Sequence, residues 1–237
     1  MSQFSTSNEK ALHAQLKSWY ADAGDQFEQK VGRYFIDIVQ PQQLVEIQTR
    51  NLGALKSKLT QLAKKHTVRL VHPIAQEKWI VKLPTDDHAD NYAKASRRKS
   101  PKRGDLVDLF GELVAFPTLL QLENLSLEVL LIREEEVRRH EPNRAWRRRG
   151  WVTHERRLLA VVERRIFHTP ADLMLLLPSE LDAEFTSADL AQALGKPRRL
   201  AQQMIYSLRA AGQLTEVGKR GRAKLYVWAS ESISVLL

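Results

Sequence analysis

Cysteine is absent from the 237 residues of this chain. Disulfides are thereby excluded, and so are zinc and iron–sulfur centres built on thiolates; the absence suits a reducing, cytoplasmic setting. Long hydrophobic runs are missing too. Runs such as 173–177 and 129–132 fall far short of the ~18 apolar residues a membrane helix needs, so no membrane span is expected. Residues 1–10 are polar and lack the apolar stretch of a secretory leader. No internal repeat, low-complexity tract or heptad series is present.

What is there is an ordinary globular composition, 43% apolar and 27% charged, on a chain long enough for two modest domains. The net charge of +9 favours a polyanionic partner. It is unevenly spread. Residues 1–130 hold 18 basic and 15 acidic side chains, net +3, whereas the shorter remainder holds 19 and 13, net +6. A membrane surface is the weaker candidate partner, because no basic amphipathic helix carries bulky apolar residues on its outer face.

Apolar residues recur at helical spacing over 8–20, with Leu12, Leu16 and Trp19 inward and Ser7 or Asn8 as cap. Two runs rich in Ile, Val, Phe and Tyr follow, 33–39 and 44–49, parted by a short Pro-containing turn; they predict a hairpin. A helix over 52–65 and strands over 68–73 and 78–83 come next. Residues 93–103 are a basic stretch, 105–116 a helix and 126–132 a strand. The arginine-rich segment 133–151 predicts a linker that is helical at its start. Beyond it the spacing predicts helices over 156–167, 171–177, 188–194 and 198–211, then two short strands over 214–217 and 223–228. The expected organisation is therefore an α/β domain over 1–135 (a mixed sheet flanked by helices), a basic linker over 136–152, and a mainly α domain over 153–237.

Asp37 sits mid-strand among apolar neighbours, and Glu46 does the same in the next strand. A carboxylate in such a place costs several kcal/mol unless it is paired or ligates a metal. A tight turn brings the two together, and a divalent cation relieves their repulsion. Gln48 shares a face with Glu46. Oxygen donors suit Mg²⁺ or Mn²⁺ rather than zinc. The bland alternative is a salt-bridge network with Arg33, Arg50 or nearby lysines.

The order helix, Asp strand, Glu-x-Gln strand, helix, strand resembles the PD-(D/E)XK, or restriction-endonuclease-like, nucleases. The resemblance implies that Glu9 is the acid of the first helix, Asp37 the principal metal ligand and Glu46 the second, with the Ile47 carbonyl as a further donor. Gln48 then stands where the family has its lysine, and Ile36 where it has a proline. Gln orients water but carries no charge. Arg50, Lys56 and Lys58 are placed to hold phosphates, or else form a solvated helix face. His13 lies one turn after Glu9, on the side of the same cleft, but a surface or core histidine is the simpler reading.

Residues 186–212 have helix–turn–helix dimensions, and the strands at 214–228 complete the outline of a winged helix. Its second helix would enter the major groove, presenting Arg198 and Arg199 with Gln202 and Gln203 one turn on. Lys219, Arg220 and Arg222 form the wing tip, suited to backbone or minor-groove contact. Arg147, Arg148 and Arg149 in the linker add phosphate contacts or a solvated hinge. A winged helix used for protein contact is the alternative. The stretches LVEIQTRNLGALKSKL and GKPRRLAQQMIYSLRAAG also resemble an uncharacterised prokaryotic family of this layout. The expectation is a Mg²⁺- or Mn²⁺-dependent DNA endonuclease or nickase in repair, recombination or defence. A transcriptional regulator with a degenerate nuclease fold is the rival, and a subunit that needs protein partners a third reading. Double-strand cutting would call for a homodimer.

Overall fold

The computed structural model describes the backbone of residues 7–84 and 95–229, and the side chains from residue 11 onward within them. Its centre is a seven-stranded mixed sheet. The chain enters by helix α1 (Ser7–Tyr20), then runs a meander of β1 (Gln26–Val31), β2 (Tyr34–Val39) and β3 (Leu44–Ile47). A 3₁₀ turn (Leu52–Leu55) and α2 (Lys56–Leu62) carry it across to β4 (Val68–Lys82). β5 (Ser96–Lys99) pairs antiparallel with the end of β4. A 3₁₀ turn (Leu106–Leu109) and the single turn α3 (Phe110–Leu113) precede β6 (Leu125–His140) and β7 (Trp151–Phe167), the long closing hairpin. The strand order is β1-β2-β3-β4-β6-β7, with β3, β4 and β6 mutually parallel and the remaining pairs antiparallel. Both parallel connections carry helix, as a crossover requires.

The sheet separates two apolar layers. On one face Leu12 and Leu16 of α1 bury against Ile38, Val45, Ile47, Val71, Leu130 and Ile132. On the other, α2, the turns near Phe110 and Phe116, and the C-terminal elements cover Leu70, Leu127 and Phe167. Trp19, expected inward, is 42% exposed and receives the guanidinium of Arg164 over its ring.

The C-terminal region is α4 (Ser187–Leu194), α5 (Arg198–Ala210), β8 (Leu214–Arg220) and β9 (Ala223–Trp228), as the spacing predicts. Thr186 caps α4 in a reciprocal box with Asp189. Gly195 closes the helix in the left-handed region at φ 60°, the conformation glycine adopts without steric cost. Leu190, Met204 and Leu208 join the same core as the sheet, and Lys196 pairs with Asp105 at 2.6 Å.

Three expectations are corrected. Residues 68–73 and 78–83 form one continuous strand, which runs through Pro73 and bulges between Ala75 and Glu77. Residues 133–151 are not a helical linker: β6 continues to His140, and only 141–150 is the connection. Residues 156–167 are strand, not helix. Bulges explain the misreading. Arg133 pairs with Ala160 and Glu134 with Leu158, leaving Leu159 over; Ile132 pairs with Val161 and Leu131 with Glu163, leaving Val162 over. The two surplus residues point outward, at 45% and 43% exposure. Inward residues such as Leu158 and Val161 then recur every third position, which imitates a helix.

Candidate active site

β2 and β3 pair over only two positions, Ile38↔Val45 and Val39↔Leu44. The ladder stops where Asp37 and Glu46 begin, and side chains take over from the backbone. Asp37 Oδ2 accepts the Ile47 backbone N–H at 2.9 Å, and the Asp37 backbone N–H lies close enough to Glu46 to favour its charged form. Each carboxylate thus meets the backbone of the other strand across the gap, Asp37 with α1 beside it and Glu46 with α2, near enough that the Asp37 charge helps raise Glu46. A local ladder bond lost on each strand is replaced by a charge-assisted one.

Helices bring the basic side chains. α1 sets His13 Nε2 3.1 Å from Asp37 Oδ2 and Lys17 Nζ 4.0 Å from Oδ1. α2 sets Lys58 Nζ 2.6 Å from Glu46 Oε1, and the same ammonium donates to the Phe35 carbonyl. Burial pushes the Asp37 pKa up, but His13, the Ile47 N–H and Lys17 together outweigh it and hold the carboxyl below its ordinary value. Glu46 goes the other way. Its side chain is only 5% exposed, and this desolvation overrides the pull of Lys58, leaving the carboxyl up at about 6. Lys58 satisfies the charge on Oε1 without a well-aligned hydrogen bond, and that atom is buried.

These are oxygen donors, the type a hard divalent cation takes, and Mg²⁺ is commonly held by one or two carboxylates with water and substrate completing the shell. The Asp37–Glu46 pair fits that pattern. Among the described residues no group of three or more His, Asp or Glu side chains is gathered as a metal site. Glu9 lies on α1, but its side chain is outside the described residues.

Gln48 is turned away. Its Nε2 donates to the carbonyls of Arg50 at 2.6 Å and Asn51 at 3.4 Å, so the amide pins the turn after β3. Buried His72 fixes the same strand end, Nδ1 lying 2.7 Å from the Gln48 carbonyl oxygen. Desolvation holds the His72 pKa below its usual value, so the neutral ring donates there. The positive charge beside Glu46 therefore comes from α2, not from the strand. Sequence spacing flagged Lys58 only as a possible phosphate contact, and gave no sign of Lys17.

The other candidates fall in two places. Arg50, Arg147 and Arg148 line one cleft at the tip of the β6–β7 hairpin; Arg149 is at the same tip, in the left-handed region at φ 51°. Lys56 is apart from them, its ammonium over the Phe116 ring. In the C-terminal region Arg198, Gln202 and Arg222 line a groove of about 340 Å³ between α5 and β9, with Tyr206, Arg209 and Lys224. Arg199 is exposed on α5, Gln203 is half-buried and Lys219 is exposed on the hairpin. Arg220 folds back onto Asp189 at 3.1 Å and the Glu184 carbonyl at 3.2 Å, bracing the β8–β9 hairpin against α4.

Residues 10–168 match the profile described as Domain of unknown function (DUF8091), a span that ends at the close of β7. An uncharacterized protein of Treponema pallidum (strain Nichols) is 33% identical over 223 residues, covering 93% of this chain and 86% of that protein. The likeness therefore runs through the C-terminal helices as well as the sheet. No solved structure matches the chain. Among the described residues no helix is long and apolar enough to cross a membrane. A family match over residues 10–168, most of the chain, makes this protein a member of the DUF8091 family.

Proposed function

We propose that this chain is a Mg²⁺- or Mn²⁺-dependent DNA endonuclease or nickase of the restriction-endonuclease-like kind, with its C-terminal region acting as a targeting winged helix. One observation carries the reading: Asp37 and Glu46 meet where β2 and β3 part, with Lys58 against Glu46. The order α1, three-stranded meander, α2, parallel β4 supports it, since the acidic pair falls on the second and third strands.

Asp37 and Glu46 would hold the cation, with the Ile47 carbonyl as a further donor. The chemistry such a cation supplies when bound is polarisation of a phosphodiester oxygen and activation of a water for in-line attack. Lys58 is placed to balance charge developing on the phosphate, a charge that Gln48 lacks. His13 orients Asp37 from α1, its Nε2 3.1 Å from Oδ2. Arg198, Gln202 and Arg222 supply the duplex contacts at the groove of the C-terminal region. Repair, recombination or defence in the cytoplasm is the setting such an enzyme would serve.

A second reading, a DNA-binding regulator on a nuclease-like fold, is favoured by one fact: each carboxylate has a lysine beside it, Lys17 at Asp37 and Lys58 at Glu46, so a salt-bridge network accounts for both. Cleavage of supercoiled plasmid separates the two. Nicking with Mg²⁺ or Mn²⁺, none with EDTA, and loss in both Asp37→Ala and Lys58→Met is the expected result. Tight binding without cleavage under any metal would favour the regulator.

A further inference from the structure

The tip of the β6–β7 hairpin has features that its fold does not require. Residues 141–150 contain four arginines and one acid. In their midst Trp146 is 81% exposed, the most exposed large apolar side chain among the described residues. Arg147 lies over the indole ring, 5.1 Å from its centroid. Around it is a cleft of about 500 Å³, within the range of ligand pockets, lined by Arg50, Arg144, Trp146, Arg147, Arg148 and Val152. Arg50 comes from the turn after β3, four positions on from Glu46. The backbone is held in an uncommon shape. Ala145 and Arg149 both have φ near +50°, and Glu141 N–H to Gly150 O at 2.7 Å closes the loop. Non-glycine residues adopt that region rarely, and such positions cluster where geometry serves binding.

We propose that this tip binds an unpaired segment of nucleic acid, one base stacked on Trp146 and the flanking phosphates on Arg50, Arg144, Arg147 and Arg148. The proposal rests on the reading of the chain as a nucleic-acid enzyme and deepens it by naming the form of substrate. A base within a duplex has both faces covered by its neighbours; only an unstacked base offers a face to an indole. Arg147 already covers one side of the ring, so a base on the other side completes a guanidinium–indole–base stack. Four guanidiniums line one cleft, with Glu141 2.7 Å from Arg144 and Glu136 3.7 Å from Arg148, a basic surface of the kind that attracts a polyanion. Arg148 reaches back to Thr153 and toward Glu136, which anchors it to the hairpin without sealing the cleft. The position of Arg50, in the turn after β3, links the tip to the strand that carries Glu46, so a strand held on Trp146 would lead toward Glu46.

The test is equilibrium binding of the full chain, in EDTA, to oligo(dT), oligo(U) and a mixed-sequence DNA duplex. The wild type should bind oligo(dT) or oligo(U) with quenching of tryptophan fluorescence and a steep salt dependence. The preferred oligomer identifies whether the site takes DNA or RNA. Trp146→Ala should weaken that binding about 5- to 100-fold, Trp146→Phe should recover most of it, and duplex binding should be unchanged in both. Single-strand binding that is indifferent to Trp146→Ala, or equally lost in Trp146→Phe, overturns the proposal while leaving a duplex-binding enzyme intact. Failure to bind any of the three polymers removes both this inference and the nucleic-acid reading beneath it.

Discussion

Replacing Glu46 with Gln isolates the electrostatics of the acidic pair. The Glu46 carboxyl has its pKa raised from 4.5 to about 6. A raised pKa means the folded chain binds the proton more tightly than the unfolded chain. Stability therefore falls as pH rises through the window from 4.5 to about 6, and the cost is complete above it. At 1.36 kcal/mol per pKa unit the penalty is about 2 kcal/mol at neutral pH. Gln cannot ionise, so the unfolding free energy of Glu46→Gln minus that of the wild type should climb by about 2 kcal/mol between pH 4 and pH 7. Taking the difference removes other titrating groups. One of these is Glu136, whose pKa burial pushes up but Arg138 and Lys78 bring down to about 2, so its contribution runs in the opposite direction. Urea unfolding followed by far-ultraviolet circular dichroism at a series of pH values provides the numbers. A flat difference would refute the reasoning. A difference of opposite slope would mean that Lys58, at 2.6 Å, outweighs desolvation.

Two further predictions concern the scaffold. Glu134 is fully buried between Lys78 at 2.9 Å and Arg156; Glu134→Ala should destabilise the sheet by about 3 kcal/mol, the low end for a broken buried pair because both cations retain some exposure to water. Thermal unfolding measures this, and a loss within about 0.5 kcal/mol would show that the pair is inert. Thr186→Ala removes the acceptor for the Ala188 and Asp189 amides and should cost about 1 kcal/mol, seen as faster amide exchange at the start of α4; unchanged exchange would contradict the cap.

The legible parts of the fold were those where side-chain period and secondary structure agree. α1, the β2–β3 hairpin, α4, α5 and the last hairpin all have clean apolar spacing or explicit caps and breakers. β1 was missed because Gln26–Val31 is polar and exposed along most of its length, an edge strand with no buried face to announce it. β4 was split at Pro73, a residue that usually interrupts strands. The β6–β7 hairpin was the largest error, because buried Glu128, Glu134 and Glu136 stand where a core strand normally has apolar residues. Partners on other strands neutralise them, Arg164 and Arg156 from β7 and Lys78 from β4, and no one-dimensional pattern reports such pairing. The acidic pair was legible because carboxylates inside apolar strands are costly. Its cations were not, since Lys17 and Lys58 reach it only through helix packing on opposite faces of the sheet.

The proposed divalent-cation site has Asp37 and Glu46 as its ligands, at the point where β2 and β3 diverge. Titration of Mn²⁺ into the intact protein, followed by the electron paramagnetic resonance signal of the free ion, tests it without reference to activity. Saturable uptake by the wild type that is lost in both Asp37→Asn and Glu46→Gln, and that weakens as pH falls below the Glu46 pKa of about 6, is the predicted result. Equal uptake by wild type and variants, or none by a folded wild type, would contradict it.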